Sequence, residues 1–308
     1  MYVGTPSKED LIEASYYAPR GRRRLFQMGG ELAHRYLQPS DCLVGVIGTE
    51  GSGKSTLIKG LFPGLELTND DDGVNNRVAP IYDFDPDDFF SHHTFHLDVR
   101  YELAFHQIHE IVDAINRVLE KERRIIVEHF DLLYPHIKRN ADIIFAIGED
   151  ISVYRPTIFG PSPLKIKAQV EKNTKYRLMA HSAEDIVGNI IERDYNLKPN
   201  IQHSDVNHGF VIQFDEKPSL DLHALEKEVL AIIAKDLPIR PCKGDRISID
   251  GVEVACTGKR IHVASTGLIE NFRLLKSFYL DPATKKYLLV GVVGHYDSSE
   301  LWEPPCES

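Results

Sequence analysis

Apolar positions in the first half of the chain fall into short runs separated by longer periodic stretches. Leu43-Val-Gly-Val-Ile47, Thr94-Phe-His-Leu-Asp98, Arg124-Ile-Ile-Val-Glu128 and Ile143-Ile-Phe-Ala-Ile147 have the length and composition of buried strands. Between them, Tyr101 to Glu122 places Leu103, Ile108, Ile111, Val112, Ile115 and Leu119 at helical spacing, and Lys54-Ser-Thr-Leu-Ile58 opens a second helix. Strands alternating with helices predict an α/β domain: a parallel sheet covered on both faces, in three layers. The stretch from Asn69 to Phe90 is rich in Asp, Asn, Pro and Gly and reads as a long functional loop.

The pattern breaks at Tyr154-Arg-Pro-Thr-Ile-Phe-Gly-Pro-Ser-Pro163, whose prolines mark a linker. Beyond it come a helical stretch from Lys175 to Arg193, a strand at Gly209–Phe214 and a helix over Leu220–Lys235. A strand-rich tail follows, at Arg246–Ile249, Val252–Cys256, Arg260–Val263, Phe272–Phe278 and Tyr287–Val293. Helices and strands are segregated here, so the second half is expected to be α+β. The predicted organisation is a first domain over 1–152, a linker over 153–170 and a second domain over 171–308.

A length of 308 residues with 42% hydrophobic content supports two domains with real cores. The four cysteines (Cys42, Cys242, Cys256 and Cys306) show no C-x-x-C spacing, which argues for a reducing compartment. No apolar run has membrane-span length and Met1 to Arg24 lacks a signal-peptide core, so a cytoplasmic protein with no membrane partner is expected. The net charge of −10 owes much to seven aspartates between Asp70 and Asp88, and it argues against a broad electrostatic attraction to nucleic acid. Local contact with RNA remains an expectation for two basic clusters, Arg20 with Arg22, Arg23 and Arg24, and Lys165, Lys167, Lys172, Lys175 and Arg177. Tyr16 and Tyr17 stand beside the first, suited to stacking on bases.

The most specific chemistry lies in Gly48-Thr-Glu-Gly51-Ser52-Gly53-Lys54-Ser55, a complete G-x-x-x-x-G-K-[ST] sequence after a strand and before a helix. Its glycines let backbone N–H groups converge, and the helix presents its positive end to the same point. Gly48, Gly51, Ser52, Gly53, Lys54, Ser55 and Thr56 are therefore expected to bind the phosphates of ATP, with Lys54 on the β- and γ-phosphates and Ser55 on Mg²⁺. Asp98 and Glu128, each ending a strand, are candidates to hold the metal or orient a nucleophile; the alternative for each is a helix cap. His92, His93 and His96 read either as a metal cluster or as surface residues of a loop and strand.

This half resembles the ATPase of tRNA threonylcarbamoyladenosine biosynthesis. The likeness runs through Gly30-Glu-Leu-Ala-His-Arg-Tyr-Leu-Gln-Pro-Ser-Asp41, the Gly48–Ser55 loop with Leu57-Ile-Lys-Gly-Leu61, Thr94-Phe-His-Leu-Asp-Val-Arg-Tyr101 (similar to His-Phe-Asp-Leu-Tyr-Arg) and Ile126-Val-Glu128 (similar to Ile-Glu-Trp). It implies nucleotide and Mg²⁺ binding by Lys54 and Ser55, Asp98 near the metal and Glu128 as the strand-end acid. His129 stands where the family has Trp, and Val78-Ala-Pro-Ile is the nearest match to its Ser-Pro-Thr segment.

In the second half, His181 and Asp185 share a helix face and could ligate one ion, while His262 lies beside a downstream turn. The alternative is a hydrogen-bonded core histidine and a solvated aspartate. This half resembles the second additional, editing domain of alanyl- and threonyl-tRNA synthetases in three ordered blocks. His181-Ser-Ala-Glu-Asp185 is similar to His-Ser-Ala-Thr-His. Asn207 to Asp215 with Asp221 to Val229 is similar to its Gly-Phe-Tyr-Tyr-Asp-Phe strand and helix. Gly258 to Phe272 is similar to Cys-Gly-Gly-Thr-His-Val…Thr-Gly-Glu-Ile. The resemblance implies a Zn²⁺ site with His181 and His262 as ligands and hydrolysis of mischarged aminoacyl-tRNA. Asp185 replaces a histidine ligand, the cysteine ligand falls on Gly258, and Cys256 two residues earlier is a substitute if the turn shifts. A site that has lost its ion is the alternative.

The expected function is ATP hydrolysis, catalysed through Lys54, Asp98 and Glu128, coupled to recognition of an aminoacyl or amino-acid-like group, on tRNA or free. Two alternatives are a small-molecule kinase for an amino-acid-like substrate and a non-catalytic ATP-dependent switch.

Overall fold

The computed structural model describes residues 13–19, 22–68, 79–85, 93–197, 208–256 and 261–295. The chain divides into two compact units, Met1–Glu171 and Lys172–Ser308.

The first unit is mixed α/β. Its elements are β1 (Glu13–Tyr17), α1 (Arg22–Tyr36), β2 (Leu43–Gly48), α2 (Lys54–Leu61), β3 (Thr94–Asp98), the single-turn α3 (Val99–Glu102), α4 (Ile108–Glu120), β4 (Arg124–Glu128), α5 (Phe130–Ile137), β5 (Ile143–Ile147) and β6 (Asp150–Tyr154). Six strands form one sheet in the order β1-β6-β5-β2-β4-β3. The expected parallel sheet is found only in part: β5, β2, β4 and β3 run parallel, whereas β6 and β1 add an antiparallel edge. The turn from β5 into β6 is too short for a crossover helix, so β6 must reverse direction.

Side chains alternate strictly across the parallel strands. Leu43, Ile47, Ile125, Val127, Ile144 and Ala146 pack on one face with α4 and α5. Val44, Val46, Ile126, Ile143, Phe145 and Ile147 pack on the other with α1 and α2. Both faces are thus covered, which explains the unbroken apolar runs. Helices α1 and α2 meet at glycine: a β-carbon on Gly29 would stand 2.6 Å from the Leu57 carbonyl oxygen. This backbone contact fixes the helix that begins at Lys54.

The proline-rich break is shorter than the expected 153–170. Tyr154 ends β6, and α6 (Pro163–Tyr195) already starts at Pro163, well before the expected Lys175. Proline is tolerated in a first helical turn because its missing N–H is unpaired there in any case.

The second unit holds the later part of α6, then β7 (Gly209–Phe214), α7 (Leu222–Ala234), β8 (Ile239–Pro241), β9 (Arg246–Ile249), β10 (Val252–Ala255), β11 (Arg273–Leu274), β12 (Tyr279–Leu280) and β13 (Tyr287–Val292). β8, β9 and β10 form one antiparallel sheet; β13 pairs antiparallel with β7, β11 and β12. Their apolar faces enclose Met179, Val187, Ile190, Phe210, Ile212, Leu225 and Leu289. The strand expected at Arg260–Val263 is not formed by residues 261–263, and the one expected over Phe272–Phe278 shrinks to two residues. Among the described residues, no helix is long and apolar enough to cross a membrane.

Candidate functional site

Two clusters of reactive side chains stand out, one in each unit. In the first, β2 ends at Gly48 and the chain turns through Gly51 (φ 75°) and Gly53 (φ 100°), both in the left-handed region that residues with a β-carbon avoid. α2 begins at once, with no side-chain cap from Gly53 and no acidic residue in its first turn. Its positive end therefore meets no carboxylate from its own sequence. Lys54 is buried and its Nζ donates to the Thr49 carbonyl oxygen at 3.0 Å, across the turn. The buried Ser52 hydroxyl has no hydrogen-bond partner among the described residues. Ser55 and Thr56 are partly exposed beside it.

Asp98 and Glu128 face each other in register at the C-terminal ends of β3 and β4, and Val46 of β2 lies level with Glu128. Both acids are buried, and together with His129 they bring ligand atoms within 4.8 Å of one another. Asp98 also accepts a hydrogen bond from the Tyr101 N–H at 3.2 Å, so it caps α3 as well as joining this cluster. His129 enters α5 in the left-handed region, at φ 56°. Burial lowers its pKa, and the nearby Lys54 charge adds to the effect, so its ring is neutral at neutral pH. A cleft of about 340 Å³ lies over the turn, lined by Gly48, Thr49, Glu50, Arg100, His129 and Lys167 among others. At its walls Arg100 pairs with Glu50 at 3.3 Å, and Lys167 pairs with the buried Asp131 at 2.8 Å, which raises the lysine pKa.

The sequence placed Lys54, Asp98 and Glu128 in one site, and the fold brings them to one edge of the sheet. His129 was noted only as a departure from the family motif and Lys167 only within a basic cluster, while Asp131 was not singled out. Of the three histidines read as a cluster or as surface, His96 is neither: it is a buried residue of β3, with Nε2 3.1 Å from Glu128 Oε1. His93 contacts Arg123 instead, and His92 lies outside the described residues. So do Gly258, Arg20, Val78 and most of the acidic loop from Asp70 to Asp88.

In the second unit, α6 carries His181, Ser182, Glu184 and Asp185, all buried. Ser182 ties the downstream turn to this helix: its hydroxyl donates to the Leu178 carbonyl at 2.8 Å and accepts from the Val263 N–H at 3.1 Å. That bond seats His262 over Asp185, with Nε2 2.9 Å from Oδ2. Cys256, at the end of β10, completes the group, its Sγ 3.2 Å from His181 Nε2 and 3.7 Å from His262 Nε2. His181 Nε2 lies 3.9 Å from Asp185 Oδ2. Four ligand atoms at bond lengths of about 2.0–2.3 Å from a tetrahedral zinc ion stand roughly 3.3–3.7 Å apart, and the separations here, from 2.9 to 3.9 Å, straddle that range. Two imidazoles, a thiol and a carboxylate also match the donor preference of zinc. The Glu184 carboxylate is 3.5 Å from His181 Nδ1, on the side of the ring away from the cluster. Burial opposes ionisation of Asp185, but His181, His262 and Cys256 outweigh it and pull the carboxyl down to about 2. Asp185 is buried, which sets aside the solvated-aspartate alternative, and Cys256 joins the cluster as the substitute for the cysteine ligand that the resemblance placed at Gly258.

Members of the second basic cluster differ in their surroundings. Lys167 and Lys175 are held by Asp131 and Glu270, Arg177 is buried, and Lys165 and Lys172 are exposed. Tyr16 is hydrogen-bonded to Tyr36 and lies under the Arg35 guanidinium. No protein-family model matches the chain, and no curated protein matches it.

Proposed function

We propose that this protein is a Mg²⁺-dependent ATPase whose second unit uses a zinc-bearing pocket to recognise an aminoacyl or amino-acid-like group, carried on tRNA. The observation that carries the reading is the meeting of a left-handed glycine turn, a buried lysine and two strand-end acids in register. Backbone N–H groups of the Gly48–Gly53 turn and the start of α2 would surround the β- and γ-phosphates of ATP, as in phosphate-binding loops, and Lys54 would neutralise charge that develops on transfer. Ser55 and Asp98 would hold Mg²⁺. Glu128 would orient the attacking water. When bound, Mg²⁺ would supply charge neutralisation for the phosphates.

His181, Asp185, Cys256 and His262 would hold zinc in the second unit. Four protein donors fill a tetrahedral ion, the pattern of structural rather than hydrolytic sites. That favours recognition over cleavage: the ion would pin β10 and the 261–263 turn to α6 and so shape the pocket. The resemblance to synthetase editing domains supplies the substrate class, and that to the threonylcarbamoyladenosine ATPase supplies the link to tRNA.

The test is an ATPase assay with and without total tRNA, paired with metal analysis of the purified protein. Phosphate release that depends on Lys54, rises with tRNA and accompanies one equivalent of zinc supports the reading. A phosphorylated product from an amino-acid panel would replace it with a kinase, and nucleotide binding without turnover would replace it with a switch.

A further inference from the structure

We propose that His96 is a positioning residue for Glu128, locked by the Thr68 backbone into the tautomer that holds one carboxylate oxygen and leaves the other for the reacting water. The inference rests on the ATPase reading of this site. The Thr68 N–H lies 3.1 Å from His96 Nδ1, and a backbone N–H can only donate, so Nδ1 is the bare acceptor nitrogen. The ring proton of the neutral imidazole is then on Nε2, which donates to Glu128 Oε1 at 3.1 Å. The Thr68 hydroxyl, 3.2 Å from Nδ1, reinforces the same tautomer.

His96 and Glu128 are both buried, and their backbones lie on the adjacent strands β3 and β4. A carboxylate so placed, without this donor, would be free to rotate about its terminal torsion, which is broad and roughly two-fold. With it, one oxygen is committed and the plane of the group is set relative to Asp98 and His129. The arrangement parallels other sites in which a second side chain orients a proton acceptor without touching the substrate.

The experiment compares His96→Leu and His96→Gln in the full chain, measuring kcat for ATP and the Kd of Mg-ATP. Glutamine retains a donor near the Nε2 position, whereas leucine does not. Expected are a fall in kcat of roughly tenfold to a hundredfold for H96L, a Kd within about threefold of wild type, and recovery of most of the rate in H96Q. In a Glu128→Gln background, H96L should cause no further loss, because both changes remove one function. An H96L kcat equal to wild type, a loss confined to Kd, additive losses in the double variant, or a ¹⁵N spectrum placing the proton on Nδ1 would each overturn the proposal. Wild-type protein that neither binds nor turns over ATP would instead overturn the ATPase reading, and this proposal with it.

Discussion

Cys256 Sγ and His181 Nε2 lie 3.2 Å apart although 75 residues separate them in the chain. Two imidazoles, a thiol and a carboxylate gathered in one buried cluster are the donors zinc prefers. One equivalent of zinc is therefore expected to bind the purified protein. Cobalt substitution should give a thiolate-to-metal charge-transfer band. Cys256→Ser should abolish that band and weaken zinc binding by about tenfold or more, as read by chelator competition. Unchanged affinity in this variant would remove Cys256 from the ligand set.

Asp185 gives this cluster a pH dependence in the metal-free protein. Its carboxyl sits at about 2 against an ordinary 3.8, so the folded state favours the ionised form. Such a group stabilises the fold fully above its ordinary pKa and loses that contribution as pH falls from about 4 towards 2. The size is on the order of 2 kcal/mol for a shift of this kind. Urea midpoints of zinc-free wild type and Asp185→Asn should therefore differ most near pH 5 and converge only as the pH falls through about 2. A constant difference across that range would contradict the assignment.

Lys54 is buried in the turn and donates to the Thr49 carbonyl across it, where a phosphate oxygen would compete for the same ammonium. A hydrogen bond to a charged group contributes about 1.5–3 kcal/mol, or roughly a tenfold to hundredfold change in affinity. Lys54→Ala should weaken Mg-ATP binding by that factor in calorimetry and suppress turnover further, since charge on the transferred phosphoryl group grows in the transition state. Equal affinity in the two proteins would remove the turn from the nucleotide site.

The sheet was legible because residues buried on both faces leave continuous apolar runs, as in Leu43–Ile47 and Ile143–Ile147. β1 and β6 were not, since their burial is patchy: β1 reads Glu13-Ala-Ser-Tyr-Tyr17, with exposed positions among partly buried ones. The glycine turn was legible because its chemistry is local in sequence. His96 was not, because a histidine's partner across a parallel pair is set by register, here through the alignment of His96 with Ile126 and Asp98 with Glu128. Cys256 was visible only as a neighbour of the expected ligand position: the bond from Ser182 to Val263 seats His262, and no spacing rule encodes that bond. The first turns of α6 were missed because three prolines outweighed the helical pattern that follows Pro163.

Gly60 offers a stability test of the helix that carries Lys54. In an exposed helix, glycine to alanine would stabilise by about 1 kcal/mol through backbone entropy. Here the sign reverses: a β-carbon on Gly60 would collide with the Phe26 carbonyl oxygen and stand 3.0 Å from Gly29 Cα, both on α1. Backbone cannot rotate away as a side chain does, so α1 and α2 must separate, and overpacking of this kind costs about 1–3 kcal/mol. Gly60→Ala should lower the thermal midpoint of the protein. Because the displaced helix bears Lys54 at its start, the same variant should weaken Mg-ATP binding at temperatures where it is fully folded. A midpoint equal to or above wild type would show that the helices part without cost, and that the approach of Gly29 to Gly60 does not set the position of the turn.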